Sequence, residues 1–312
     1  MKKSILFLAS MLVMATSCYE DYVSDFDYSA AYIAYQYNLR TFVLDEGEQF
    51  KVTVALSGVM QNDKDRNVTL ALEPSLLDGA LASLKNTALV SGNYVTQEIN
   101  AANLTQLTLL PENYYTIEGM DDLCIRKGMH TAAVTLKATE DMRSDDKVFA
   151  PYYAVAFAIK DADVDQLVEG KDFTVIAVKC ENRFYGVWSR SGKVVSNGSA
   201  DYTGRDLADE ACYTLTTING ETVKANRVAG TSGEMMLTFD GDDIEVSSAD
   251  GKISGTGKFD GSKLLQNRKL FLNYSVTAND GSVKEVTDTL YFRNRVRDGV
   301  NEWQDENPEN YQ

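Results

Sequence analysis

Histidine is nearly missing from this sequence: His130 is the single one in 312 residues. Catalysis through a Ser/His/Asp or Cys/His arrangement would have to pass through that one side chain, and no Gly-x-Ser-x-Gly accompanies it. Its place beside Met129, at the start of an alternating run, reads as a surface position. Cysteine is scarce as well, with Cys18, Cys124, Cys180 and Cys212 and no short spacing among them. That argues against a zinc site and against a disulfide framework. Cys124, Cys180 and Cys212 lie in apolar-alternating stretches and read as buried thiols, of which one pair at most could bridge. Basic charge is in deficit, 30 Lys+Arg against 46 Asp+Glu, for a net −16. A chain so acidic is a poor partner for nucleic acid or for an anionic lipid surface. No glycine-rich phosphate loop occurs. Asp161, Asp163 and Asp165 alternate as in a calcium loop, but Gln166 stands where such a loop needs glycine and Asp172 where it needs glutamate. Carboxylate pairs are everywhere among 46 acidic residues, so no two are singled out for glycoside hydrolysis. The expectation is a protein without metal or cofactor, and not an enzyme.

Long apolar runs are lacking too, except at the start. Lys2 and Lys3 precede an almost unbroken apolar stretch from Ile5 to Ala15, closed by Ala15-Thr16-Ser17-Cys18. This is the layout of a secretory signal, and it is shorter than the roughly 20 residues that span a bilayer. A cysteine after small residues resembles a bacterial lipobox, here with Ala15 where a larger aliphatic residue is usual. That resemblance implies acylation of the Cys18 thiol and removal of residues 1–17. Tyr19-Glu20-Asp21 resembles the export signal that sends Bacteroidetes lipoproteins to the outer face of the outer membrane. Residues 18–27 then form a lipidated tether, and without Lys2 and Lys3 the charge falls to −18.

Beyond the tether the chain is rich in β pattern. Tyr32–Tyr35, Thr41–Leu44, Phe50–Leu56, Val68–Leu72, Leu109–Ile117, Thr131–Lys137, Tyr152–Ile159 and Phe173–Lys179 alternate with period two and favour β-branched and aromatic residues. Between them, Leu76, Leu77, Leu81 and Leu84 predict a short helix within Ser75–Lys85. Residues 86–106 read as an irregular insertion, and Asp161–Glu169 as a helical turn. Seven or eight strands over residues 28–180 predict an immunoglobulin-like antiparallel β-sandwich. From 181 to 297 the punctuation changes to Asn219-Gly220, Asp240-Gly241, Asp250-Gly251, Asp260-Gly261 and Asp280-Gly281, each between alternating runs. Such pairs are the strongest short-range hairpin signal, and a ladder of hairpins removes its exposed edges by closing into a barrel. Residues 298–312 read as an acidic tail.

Several strings occur in order along the first domain: Asp27-Tyr28-Ser29-Ala30-Ala31-Tyr32, Arg40-Thr41, Ser57-Gly58-Val59 with Asn62-Asp63-Lys64-Asp65-Arg66, Leu109-Leu110-Pro111-Glu112-Asn113-Tyr114-Tyr115, and Glu169-Gly170-Lys171-Asp172-Phe173. Together they resemble the domain-of-unknown-function 1735 family of Bacteroidetes outer-membrane lipoproteins, over about residues 25–180. The resemblance implies a component of a polysaccharide utilisation locus, working beside a SusC/SusD-type glycan importer. The second domain resembles a small lipocalin-like barrel, with Gly186-Val187-Trp188 in the place of the lipocalin Gly-x-Trp. That resemblance implies a structural role for Gly186 and Trp188, with Arg293 (or Arg295) covering the indole by cation–π contact.

Aromatics are plentiful, with 17 tyrosines. A tyrosine ring offers a flat apolar face with a polar handle, which suits stacking on sugar. Tyr114 and Tyr152, from tyrosine pairs, and Trp303, beyond the last alternating run, are the ligand candidates. The expected function is binding of an extracellular glycan without catalysis. A structural or adhesive protein that binds another protein is the alternative, as is a small-ligand carrier using the barrel.

Overall fold

A computed structural model describes residues 27–87 and 94–304. The leader, Cys18, most of the tether and the last eight residues lie outside the described residues. The first domain is a sandwich of two sheets built from β1 (Asp27–Tyr32), β2 (Tyr37–Val43), β3 (Gln49–Val59), β4 (Arg66–Leu72), β5 (Thr108–Leu109), β6 (Tyr115–Glu118), β7 (Cys124–Ile125), β8 (Thr131–Ala138), β9 (Tyr153–Ala162), β10 (Gln166–Leu167) and β11 (Phe173–Glu181). One sheet has the order β10-β1-β3-β8-β6 and the other β2-β11-β9-β4-β7, with β5 added on β9. Most pairings are antiparallel. The chain nevertheless changes sheets at residues 33–36, so β1 pairs with β3 while β2 runs parallel to β11. Alternating residues such as Val52, Val54, Val155 and Phe157 fill the space between the sheets.

The outer face of the second sheet is covered as well, which explains the continuous burial of β9. Tyr153, Val155, Phe157 and Ile159 face the inter-sheet core, while Ala154 and Ala156 face the other way. The small alanines let the insertion after β4 pack closely. That insertion contains the expected helix, at Ala80–Leu84, and a second helix, Tyr94–Ala101, where the sequence predicts an irregular segment. Val95 and Ile99 anchor it, one helical turn apart, against Leu39, Leu84 and Ala177. Tyr94 adds a hydrogen bond from its hydroxyl to the Leu39 carbonyl, 2.5 Å. The helical turn expected at 161–169 is absent: β9 runs through Ala162, and Gln166–Leu167 pairs with β1. The acids of this segment act as clips. Asp163 accepts from Asn67 N, and Asp165 accepts from both N and Oγ of Ser29, at 2.7 and 2.6 Å.

The second domain closes into an eight-stranded antiparallel barrel. Its wall is β12 (Gly186–Ser196), β14 (Tyr213–Thr217), β15 (Thr222–Ala225), β16 (Met235–Asp240), β17 (Asp243–Ser247), β18 (Ile253–Phe259), β19 (Lys269–Thr277) and β20 (Val283–Arg297), and β12 pairs with β20 to seal it. The short β13 (Ser199–Thr203) folds back on the end of β12. Asn219-Gly220, Asp240-Gly241, Asp250-Gly251, Asp260-Gly261 and Asp280-Gly281 each connect successive wall strands, and a further pair, Asn197-Gly198, turns β12 into β13. β13 and β15 are not legible in the sequence: the first is exposed throughout and the second is four residues long. The segment expected to be a tail also differs. Asp298 and Gly299 take positive φ and turn the chain into β21 (Val300–Glu302), which pairs with the end of β20.

The two domains are joined by more than the peptide linkage. Glu46, in the turn between β2 and β3, is fully buried beneath the barrel and bridges Arg268 and Arg295, with Arg295 Nη2 2.8 Å from Glu46 Oε2. Arg295 Nε also donates to Glu302 of β21 at 2.7 Å. On the same side, Asp298 accepts from the backbone N–H of Thr41 at 2.9 Å and pairs with Arg40.

Candidate functional site

The barrel wall is uneven, and that creates the site. β12 and β20 are 11 and 15 residues long, whereas β14 and β15 have 5 and 4. The short strands leave a notch between the end of β13 and the loop after β15. A cleft of about 470 Å³ occupies it, lined by Arg190, Tyr213, Asn226, Arg227, Asp206 and Thr231 among others. Most of the barrel interior is packed with apolar side chains such as Leu237, Val246 and Leu272. At the cleft floor it is not. Arg190 Nε donates to Asp288 Oδ1 at 2.8 Å, and Tyr274 donates its hydroxyl proton to Asp288 Oδ2 at 2.9 Å. Asp288 enters the wall only because glycine faces it. A Cβ on Gly192 would stand 2.3 Å from Asp288 Oδ1. Burial and the neighbouring Asp288 carboxylate push the Tyr274 hydroxyl well above the ordinary tyrosine range, so it stays a donor at any physiological pH.

The outer face beside the cleft carries aromatic rings on a polar ground. In β19 the buried set Leu270, Leu272, Tyr274 and Val276 points inward, so Lys269, Phe271, Asn273 and Ser275 point outward. Phe271 pairs across to Thr289, two residues before Tyr291, which makes Phe271 and Tyr291 diagonal neighbours on the same face. The Arg205 guanidinium lies over Tyr291, 4.7 Å from its centroid, and its Nε donates to Ser189 Oγ at 2.8 Å. Further along, Tyr202 of β13 stands opposite Lys193 and is 74% exposed; Phe271 is 42% exposed. Gly204 and Asp206, on either side of Arg205, line the cleft. Strip and cleft are thus contiguous. Two other clefts run along the seam between the domains and are lined by groups already paired, such as Lys179 with Glu181.

The residues expected from sequence are placed differently. Tyr114 and Tyr152 are brought together, both edge-on to Tyr153, with ring centroids 5.8 and 4.9 Å from it. The hydroxyls of Tyr114 and Tyr153 both donate to Asp145, and Lys147 lies over Tyr152. These rings are therefore engaged inside the sandwich. Trp303 is 58% exposed just after β21, on the hairpin that follows the barrel. Trp188 is fully buried, donating from Nε1 to the Phe184 carbonyl at 3.0 Å and meeting Phe292 edge-on. Gly186 has a positive φ, and a Cβ there would meet Arg295 Cβ at 2.8 Å, so the motif glycine admits an arginine. That arginine is Arg295, whose guanidinium lies over Tyr185. Arg293 instead pairs with Asp209 at the surface, because the register shifts there: Phe292 pairs with Trp188 and Asn294 with Val187, so Arg293 is an extra residue and 293 and 295 fall on different faces. His130 is exposed, and Cys124, Cys180 and Cys212 are free, Cys180 with its thiol pushed up to about 12 by burial. Phe271, Tyr291 and Tyr202 are the rings that sequence reasoning missed; the signal for Phe271 is a large aromatic at an outward position between inward leucines.

Residues 26–166 match a protein-family model described as a "-like, N-terminal domain", less than half of the chain. No curated protein matches. Among solved structures, a structural-genomics protein of unknown function from Bacteroides ovatus is 21% identical, with 90% of this chain and 99% of that one covered at a TM-score of 0.61. A multidomain protein including domain of unknown function 1735, from the same species, is 11% identical over 89% and 100% of the two chains, TM-score 0.42. An auxiliary nutrient binding protein from Bacteroides thetaiotaomicron is 12% identical over 81% and 85%, TM-score 0.38. The first likeness spans both domains: this chain shares its overall fold with that Bacteroides ovatus protein.

Proposed function

We propose that this protein binds an extracellular glycan, without catalysis, as a surface lipoprotein accessory to a SusC/SusD-type importer. The observation that carries the reading is the strip of Phe271, Tyr291 and Tyr202 on an outer barrel face that also presents Ser191, Lys193, Asn273, Thr287 and Thr289. Phe271 and Tyr202 offer open rings for the CH faces of sugars, Tyr291 keeps Arg205 over one face, and the surrounding hydroxyl and amide groups supply hydrogen bonds without a large apolar patch. The leader and Cys18 support attachment to the outer membrane, facing the exterior. Purified protein run through native gels containing soluble polysaccharides, and on a glycan array, tests the reading. Retardation by at least one glycan class is expected, weakened about tenfold in a Phe271→Ala/Tyr291→Ala double variant, since each stacked ring contributes about 0.5–1.5 kcal/mol. Retardation by no glycan would turn the reading toward a protein partner. In cells, Cys18→Ala is expected to lose labelling by an alkyne palmitate analogue and to leave the membrane fraction.

A further inference from the structure

The cleft beside the strip has a chemistry that the strip lacks. We infer that it is a separate binding site for a sugar carboxylate, a uronic acid unit. Two guanidinium groups line it, Arg190 and Arg227, and the carboxylate that lines it with them, Asp206, is already drawn into its own loop by an acceptor bond from Ala208 N at 2.9 Å. Asp288 does not compete for the ligand. It sits behind Arg190 with its side chain fully buried, one oxygen on Arg190 and the other on Tyr274.

Arg190 is nine-tenths buried, and Nε and Nη2 both approach the same Asp288 oxygen. Nη2 comes within 2.6 Å of it as an ion pair, so Nε and Nη2 both face Asp288 and Nη1 is the guanidinium nitrogen that makes no hydrogen bond among the described residues. A buried ion pair contributes little where an apolar pair would fill the wall as well. Most of the rest of the barrel interior is apolar. Arg190, Asp288, Tyr274 and the glycine that admits them therefore read as a cation held in one orientation, its outer edge turned to the cleft. Arg227 adds a second positive charge at the rim; its Nη1 donates to the Glu210 carbonyl, a neutral partner. This cationic pair sits in a chain of net −16, where no general surface potential accounts for it. Around it, Tyr213 offers a ring and Thr203, Asn226, Thr231 and Ser232 offer hydroxyl and amide groups suited to ring hydroxyls.

That the carboxylate belongs to a sugar rests on the glycan-binding proposal; that the site selects an anion rests on the cleft alone. The test is calorimetric or ligand-observed NMR titration of the full chain with D-glucuronate, D-galacturonate, glucose, galactose and acetate. Uronates are expected to bind at least tenfold more tightly than their neutral parents and than acetate. Arg190→Gln and Arg227→Gln should each weaken uronate binding at least fivefold, and Phe271→Ala should leave it unchanged. Arg227 lies at the rim, so its variant keeps the inference testable should Arg190→Gln fail to fold. Equal binding of uronates and neutral sugars, or uronate binding indifferent to both arginines, would overturn the inference. If neutral sugars bind and Phe271→Ala abolishes them, the strip proposal survives that failure. Acetate binding as tightly as uronate would overturn the sugar assignment, and uronate binding with no glycan retarded by the strip would support the cleft alone.

Discussion

Single residues decide both the packing at the cleft and the joins within the sandwich. Gly192 is the sharpest case. Alanine there would place its Cβ 2.3 Å from Asp288 Oδ1 and 2.4 Å from the Thr287 carbonyl, both parts of the opposing strand. Gly192→Ala is expected to lower barrel stability by about 1–3 kcal/mol, the usual range for overpacking, and urea denaturation followed by tryptophan fluorescence would measure it. Asp165 gives a pH-dependent case. Hydrogen bonds from the Ser29 hydroxyl and N–H hold its carboxyl below the ordinary 3.8. A depressed carboxylate stabilises above its unfolded pKa, and that contribution is lost as pH falls through the folded one. Asp165→Asn should therefore melt at lower temperature than wild type above about pH 5 and at the same temperature in strong acid. A constant gap across pH would show that Asp165 acts by shape alone. None of these roles is visible in composition. In the sequence Asp165 looks like part of an acidic triplet, and Gly192 like any strand glycine; what identifies them is the partner strand, which pairs at long range.

At the scale of elements, the legible ones are those whose pattern repeats. Asp240-Gly241, Asp250-Gly251, Asp260-Gly261 and Asp280-Gly281 mark barrel connections because a tight turn needs positive φ, which each of their glycines adopts. Asn197-Gly198 and Asp298-Gly299 obey the same rule, but the second does not stand out, because only three strand residues come after it. Asp298→Ala is expected to cost about 1–3 kcal/mol, since it leaves the Thr41 N–H without its acceptor. Hydrogen exchange should show faster exchange at Thr41 and along β21, with β12–β20 pairing unchanged. The helix Tyr94–Ala101 shows the opposite limit. Its eight residues carry two buried anchors, too few for a period to emerge, and it forms because Leu39 and Ala177 offer an apolar floor. Likewise β9 has little burial alternation, as both of its faces are covered.

For the whole molecule, the order of sandwich then barrel is written in the change of turn chemistry near residue 181. The coupling between them is not. Glu46 sits in an ordinary-looking Asp-Glu-Gly-Glu turn, yet its carboxylate lies between Arg268 and Arg295, far away in sequence. Glu46→Ala leaves two buried guanidinium groups without this carboxylate, and about 3–5 kcal/mol of destabilisation is expected. Calorimetry should then resolve two transitions where the wild type gives one. A single transition of unchanged midpoint would show that Glu46 does not couple the domains.

The Glu46 bridge, the Asp298 contact with β2 and the chain itself at residues 181–186 attach barrel to sandwich at three places. A load bearing on the barrel face, such as a polymer dragged by flow, is then shared among these attachments instead of falling on one flexible strand of chain. The sandwich behaves as a stiff post, and torque on the barrel is resisted rather than relieved by swivelling. Whatever holds residue 27 therefore sets the height and the heading of the cleft.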